Sequence, residues 1–447
     1  MRHGWLYVSE HDLKIEQAQL EQEGKAIPAA LVKEFRTLSK VDLHQPKNQQ
    51  RATELLEASV RLPLRKDYPY REPSDLESIR KERPKRVSLP AKRMTRSRME
   101  DHFLGAWLGR CAGCLLGKPV EGMKSDAIRG YLTALNQFPL SDYFSAKAPK
   151  KTLEKYGVNP RRPFIENVSC MVEDDDTNYT VTGLVIMKRH GRDFQPHHVA
   201  DFWMNNLPIL HTCTAERIAY RNFVIGIDPP ASASYVNPYR EWIGAQIRAD
   251  FFGYAALGNP RLAAEFAWRD ACISHIKNGI YGEMWVAAML AAAPFCETPD
   301  EVVAQGLMQV PKASRLAERV AAVRQWYRQG VSYDDAVAKI HQEWNEYFGH
   351  DWCHTISNAM LVTVGLLWGE LDYERSICRA VQPGFDTDCN GATVGSIVGM
   401  MLGAKKLPTK WISPLNDRLQ TGVHGYFEVS LSELAKETCV IHKAVTA

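Results

Sequence analysis

Two segments carry glycine at every fourth position, Gly105, Gly109, Gly113 and Gly117 in the first and Gly391, Gly395, Gly399 and Gly403 in the second. On a helix this spacing lines all four glycines along one face. Each glycine costs a helix interior about 1 kcal/mol relative to alanine. Two such ladders therefore call for compensation, which close backbone approach supplies, and both segments are expected as central, tightly packed helices. Other helix signals dominate from Met99 onward. Thr298-Pro299-Asp300-Glu301 joins a capping hydroxyl, a proline at the first helical position and an acid three residues after the cap, and Ser332 with Asp335 repeats the logic. Few runs alternate as strands do.

The 447 residues are enough for a large core, in one big domain or two. A formal charge of +3 spread over both signs gives no argument for a nucleic-acid or membrane partner. The most apolar stretch, residues 392–404, is too short to span a bilayer. Ten scattered cysteines and a first segment without a signal-like apolar run lead us to expect a reducing, cytoplasmic setting. Residues 1–98 read as an appended region of polar, helix-compatible segments. Its end, residues 80–98, holds nine Lys or Arg against the single acid Glu82. Without aromatic residues for base stacking, this run reads as a solvated linker rather than a nucleic-acid strip. Residues 226–239, with Pro229, Pro230 and Pro238, read as a functional loop, because idle loops of that length are uncommon in compact domains.

Chemistry concentrates in two acidic clusters. Asp174-Asp175-Asp176-Thr177 opens one apolar helical stretch and Asp386-Thr387-Asp388 opens the second glycine ladder. Capping of a helix start is the ordinary reading of either cluster alone. Adjacent aspartates repel, however, and a bound cation is their natural stabiliser. Together the clusters offer five carboxylates, more than one Mg²⁺ usually takes, so two ions sharing these ligands are expected. Zinc fits less well, since Cys111-x-x-Cys114 has no second pair to complete it.

Three segments, in order, resemble the ADP-ribosylglycohydrolase family, which includes the dinitrogenase-reductase-activating glycohydrolase. They are Phe103-Leu104-Gly105-Ala106-Trp107-Leu108-Gly109 continuing to Gly117-Lys118-Pro119-Val120-Glu121-Gly122, the first acidic cluster, and residues 384–404. The resemblance implies an all-α fold, a compact orthogonal multi-helix bundle over residues 99–447. It also implies a dinuclear Mg²⁺ or Mn²⁺ centre and hydrolysis at ribose C1 of an ADP-ribosylated or related ribosyl substrate by cation-activated water. The metal positions it assigns are Asp174, Asp175, Asp176, Asp386, Asp388 and Cys389. Asp174 and Cys389 stand where the family usually has threonine, and a thiol is a poor Mg²⁺ ligand. Cys114 and Phe385 depart from the family pattern as well. Catalytic roles fall to Glu121, Asp176 and Asp386, and substrate contacts to Arg248, His275, Tyr281 and Phe385. For the last four, the ordinary readings are an ion pair, a core histidine and packed aromatics. A glycosidase acting on a small nucleoside or sugar conjugate, a metal phosphodiesterase and a non-catalytic relative are the alternatives.

Overall fold

The structure is a computed structural model that describes residues 3–84, 89 and 94–446. The middle of the basic run read as a linker, residues 85–88 and 90–93, therefore lies outside the described residues. Among those described are twenty-two α-helices and one two-stranded hairpin, Arg418–Gln420 paired antiparallel with Glu428–Ser430. The fold is all-α. No described helix is long and apolar enough to cross a membrane, and all ten cysteines are free.

The first glycine helix, Arg96–Gly117, starts where the Thr95 hydroxyl accepts from the Arg98 amide, and it is buried almost throughout from His102 onward. The second, Thr387–Leu402, runs antiparallel against it. A Cβ built on Gly113 would lie 2.0 Å from the Gly391 carbonyl oxygen, one on Gly109 2.2 Å from that of Gly395, and one on Gly105 2.4 Å from that of Gly399. Only hydrogen fits at these crossings, and this is how packing offsets the propensity cost of the ladders. Gly403 departs from the expected pattern. It ends the helix with φ +81° beside Asp101 and is not a fourth rung.

That register also sets the chemistry. At its lower end Gly117 meets Thr387, whose hydroxyl donates to the Gly117 carbonyl at 2.9 Å. The residues leaving the first helix, Lys118 to Glu121, thus arrive beside Asp386 and Asp388. Asp174 enters from a third direction. Met171 pairs with the hairpin through Met171 N to Arg418 O, 3.0 Å, and Gln420 N to Met171 O, 2.9 Å. The chain then turns into the helix Asp175–His190 with Asp174 as its N-cap.

Residues 1–98 were read as an appendage of polar helices. Helix Glu10–Gln22 buries Asp12, Glu16 and Gln19 alongside Leu13, Ile15 and Leu20. Glu16 and Glu23 clamp Arg240 at 2.5 and 2.7 Å, Gln19 donates to Glu241 at 2.7 Å, and the Tyr239 hydroxyl donates to Asp12. Val8, Leu13, Leu20, Phe35, Leu38 and Leu56 form a small separate core that takes Val236 from the long loop. Residues 226–239, expected to act in function, serve here as the platform on which the N-terminal region docks.

Candidate active site

Side chains from four segments meet at the end of the paired glycine helices. Ligand atoms of Cys114, Asp174 and Asp176 lie within 4.8 Å of one another, as do those of Asp386, Asp388 and Cys389. Asp176 Oδ2 and Asp388 Oδ1 are buried without a hydrogen-bond partner among the described residues. A buried carboxylate oxygen left unpaired costs several kcal/mol. Each cluster raises the proton affinity of the other. Burial and then Asp388 push Asp386 well above the usual carboxylate range, while burial chiefly, with Asp174 and Asp388 adding to it, raises Asp176 against the pull of Arg110. Burial, and after it Asp174, push Asp175 up to about 8. Asp175, expected as a metal ligand, joins neither group of three.

These oxygens suit a hard divalent cation: carboxylates predominate, two oxygens are orphaned, and a dication would relieve the mutual repulsion that the protons otherwise relieve. Cys114 and Cys389 are the poor members of the set. Burial raises both thiols well above their ordinary range, so they stay neutral beside the aspartates.

Three basic or polar partners that the sequence reading passed over hold the clusters in place. The Arg110 guanidinium is fully buried and spans Asp176 (Oδ1 at 3.1 Å, carbonyl O at 2.8 Å) and Asp250 (Oδ2 at 2.7 Å). The Lys118 ammonium contacts Asp174. Cys353 Sγ donates to Asp386 Oδ2 at 3.6 Å. Arg110, Cys114 and Lys118 recur at the same four-residue interval as the glycines, one residue behind them. That offset was the available signal for a polar stripe next to the packed one.

Glu121 lies where the chain leaves the first glycine helix. The Asp388 carboxylate, and then burial, push its carboxyl up to about 9. Glu121 borders a cavity of about 380 Å³ together with Met123, Asn159 and Arg162. Arg162 Nη1 donates to the Glu121 carbonyl at 2.6 Å and fixes this turn.

The four residues expected to meet substrate are placed differently. Arg248 is buried in an acidic nest, bonded to Asp270, to Glu216 at 2.7 Å, and 3.6 Å from Glu283. His275 is fully buried, with Nδ1 2.8 Å from the Ser274 hydroxyl, and burial followed by Arg248 drives it well below its usual range. The Tyr281 hydroxyl donates to the Pro73 carbonyl, beneath the N-terminal region. Phe385 is buried with φ +58°, its ring 5.1 Å from that of His341. In each case the ordinary packing or ion-pair reading describes the observed partners, because these side chains face inward from the elements that carry them.

The family model for ADP-ribosylglycohydrolase matches residues 95–441, most of the chain. The chain belongs to the ADP-ribosylglycohydrolase family. It is 22% identical over 329 residues to an uncharacterized protein of Archaeoglobus fulgidus, covering 72% of this chain and 93% of that protein. A solved structure titled "ADP-ribosylglycohydrolase-related protein complex" aligns with TM-score 0.45 at 19% identity, over 78% of this chain and 99% of its own. Family membership implies a glycohydrolase fold.

Proposed function

We propose that the protein is a divalent-cation-dependent glycohydrolase that cleaves the ribose C1 bond to an N- or O-linked acceptor, in ADP-ribosyl or related ribosyl substrates. One observation carries this reading. Asp176 and Asp388, more than two hundred residues apart in sequence, each keep a buried carboxylate oxygen with no hydrogen-bond partner among the described residues, and the Asp388 charge is close enough to raise the proton affinity of Asp176.

Mg²⁺ or Mn²⁺, when bound by these residues, would supply positive charge to hold ribose hydroxyls and to make a water more acidic. The rest is done by this chain. Asp176 and Asp388 would hold the cation with Asp386 beside them, Arg110 fixes Asp176 from behind, and Glu121, once the cation's charge had released its proton, would accept that of the attacking water. The oxocarbenium-like transition state is stabilised by the surrounding carboxylates, as in other glycosyl transfers to water. The cavity bordered by Glu121 is the entry for the ribosyl group.

A second reading, a glycosidase for a small nucleoside or sugar conjugate, is favoured by the fate of Arg248. Its guanidinium is spent on Glu216 and Asp270, so it offers nothing to a diphosphate. Incubating the purified chain with Mn²⁺ or Mg²⁺ and a panel of ADP-ribosylated arginine, serine, O-acetyl and nucleoside substrates distinguishes the two. Release of free ADP-ribose supports the first reading, and an unphosphorylated sugar supports the second. No turnover of any substrate by the metal-loaded protein overturns both.

A further inference from the structure

The site aspartates differ sharply in what their oxygens still have to offer. Asp174 has both committed: Oδ1 accepts from the Asp176 amide at 2.9 Å and Oδ2 accepts from the Lys118 ammonium. Asp176 and Asp388 each keep a buried oxygen with no partner. Lys118 is itself largely enclosed, and the charges that act on it most are Asp174 and Asp388, with Glu121 behind them. An ammonium thus already sits among the carboxylates on the Asp174 side.

Resting on the cation-dependent reading above, we propose that Lys118 takes the place of a second metal ion, so that this centre holds one divalent cation per chain, on Asp176 and Asp388. Three arguments agree. The Asp174–Lys118 pair is neutral, so Asp174 brings no net charge to attract another dication. A second ion would have to displace Lys118 and break its charge-assisted bond in a buried site, or share the space with a like charge. The remaining donors on that side include the Cys114 thiol, which serves Mg²⁺ and Mn²⁺ poorly. The lysine also explains why an aspartate is tolerated at position 174. Its charge is cancelled by a residue that the same fold delivers from the end of the first glycine helix.

The test uses the full chain, stripped of metal, loaded with Mn²⁺ and desalted. Manganese per chain is counted by mass spectrometry, and the electron paramagnetic resonance spectrum is recorded. Wild type is expected to hold one ion with the hyperfine pattern of isolated Mn²⁺. Lys118→Met, checked for folding by circular dichroism, is expected to take up a second ion and to show exchange coupling between the two. Two ions or a coupled spectrum in wild type overturn the proposal, as does a folded Lys118→Met that stays at one. If the variant does not fold, the wild-type spectrum decides. No manganese on wild type would instead remove the functional reading itself, an outcome distinct from two.

Discussion

Gly113→Ala separates helix propensity from helix packing. By propensity alone the substitution stabilises a helix interior by about 1 kcal/mol. The structure gives the opposite sign. The new methyl would lie 2.0 Å from the Gly391 carbonyl oxygen and 2.6 Å from its carbon, where ordinary contact begins at 3.4 Å. Both offending atoms are backbone, and a Cβ on Gly391 would in turn lie 2.3 Å from the Gly113 carbonyl oxygen, so no side-chain rotation relieves the clash. The helices must part by roughly 1 Å, which forfeits a quarter or more of the contact energy along the whole seam. Overpacking of a core typically costs about 1–3 kcal/mol, and separating two central helices belongs at the upper end. We therefore expect Gly113→Ala to lose about 2 kcal/mol or more net of its propensity gain. Equilibrium urea unfolding followed by far-UV circular dichroism measures it. A variant as stable as wild type, or more stable, refutes the account of the ladders.

Other perturbations test neighbouring parts of the structure. Arg240→Met leaves Glu16 and Glu23 buried without their cation and is expected to cost about 3–5 kcal/mol. Limited proteolysis should then release the N-terminal region, and unchanged resistance would contradict the docking described. Glu23 is held down to about 2; burial opposes this, but Arg240 and Lys277 outweigh it. Since its folded value lies below the unfolded one near 4.5, the stability it contributes is complete above that value and is lost as pH falls towards 2. Urea midpoints should fall between pH 5 and 3 in wild type and less steeply in Glu23→Gln, and parallel profiles would refute this. Gly117→Ala would press on Thr387 O at 2.2 Å and Asp388 N at 2.4 Å, so it should weaken Mn²⁺ binding about tenfold or more through displaced ligands. Calorimetry reads that loss directly.

How much of this was readable beforehand depends on whether a residue's partner is local or distant. The ladders were legible because a four-residue period means one face whatever lies opposite. The acidic clusters were legible because adjacent like charges demand an explanation wherever they occur. Thr298 and Ser332 cap their helices as expected, since capping involves neighbours in sequence. Lys118 was passed over because its meaning depends on Asp174, which only the tertiary fold brings to it. Arg248 and His275 were assigned outward roles because their chemistry suits ligands, yet Glu216, Asp270 and Glu283 converge on Arg248 from separate segments and close it in. The polar N-terminal helices look solvent-exposed by composition. Buried ion pairs from Glu16 and Glu23 to Arg240 reverse that for the first of them, and hydrophobic patterning carries no trace of those pairs.

The central claim is that Asp176 and Asp388 jointly bind a divalent cation. Isothermal titration of the metal-free full chain with Mn²⁺ tests it most directly, alongside Asp388→Asn, a near-isosteric change that removes one charge. We predict saturable binding to wild type and at least about tenfold weaker binding to Asp388→Asn. Absence of binding to wild type, or equal affinity in the variant, would contradict the account.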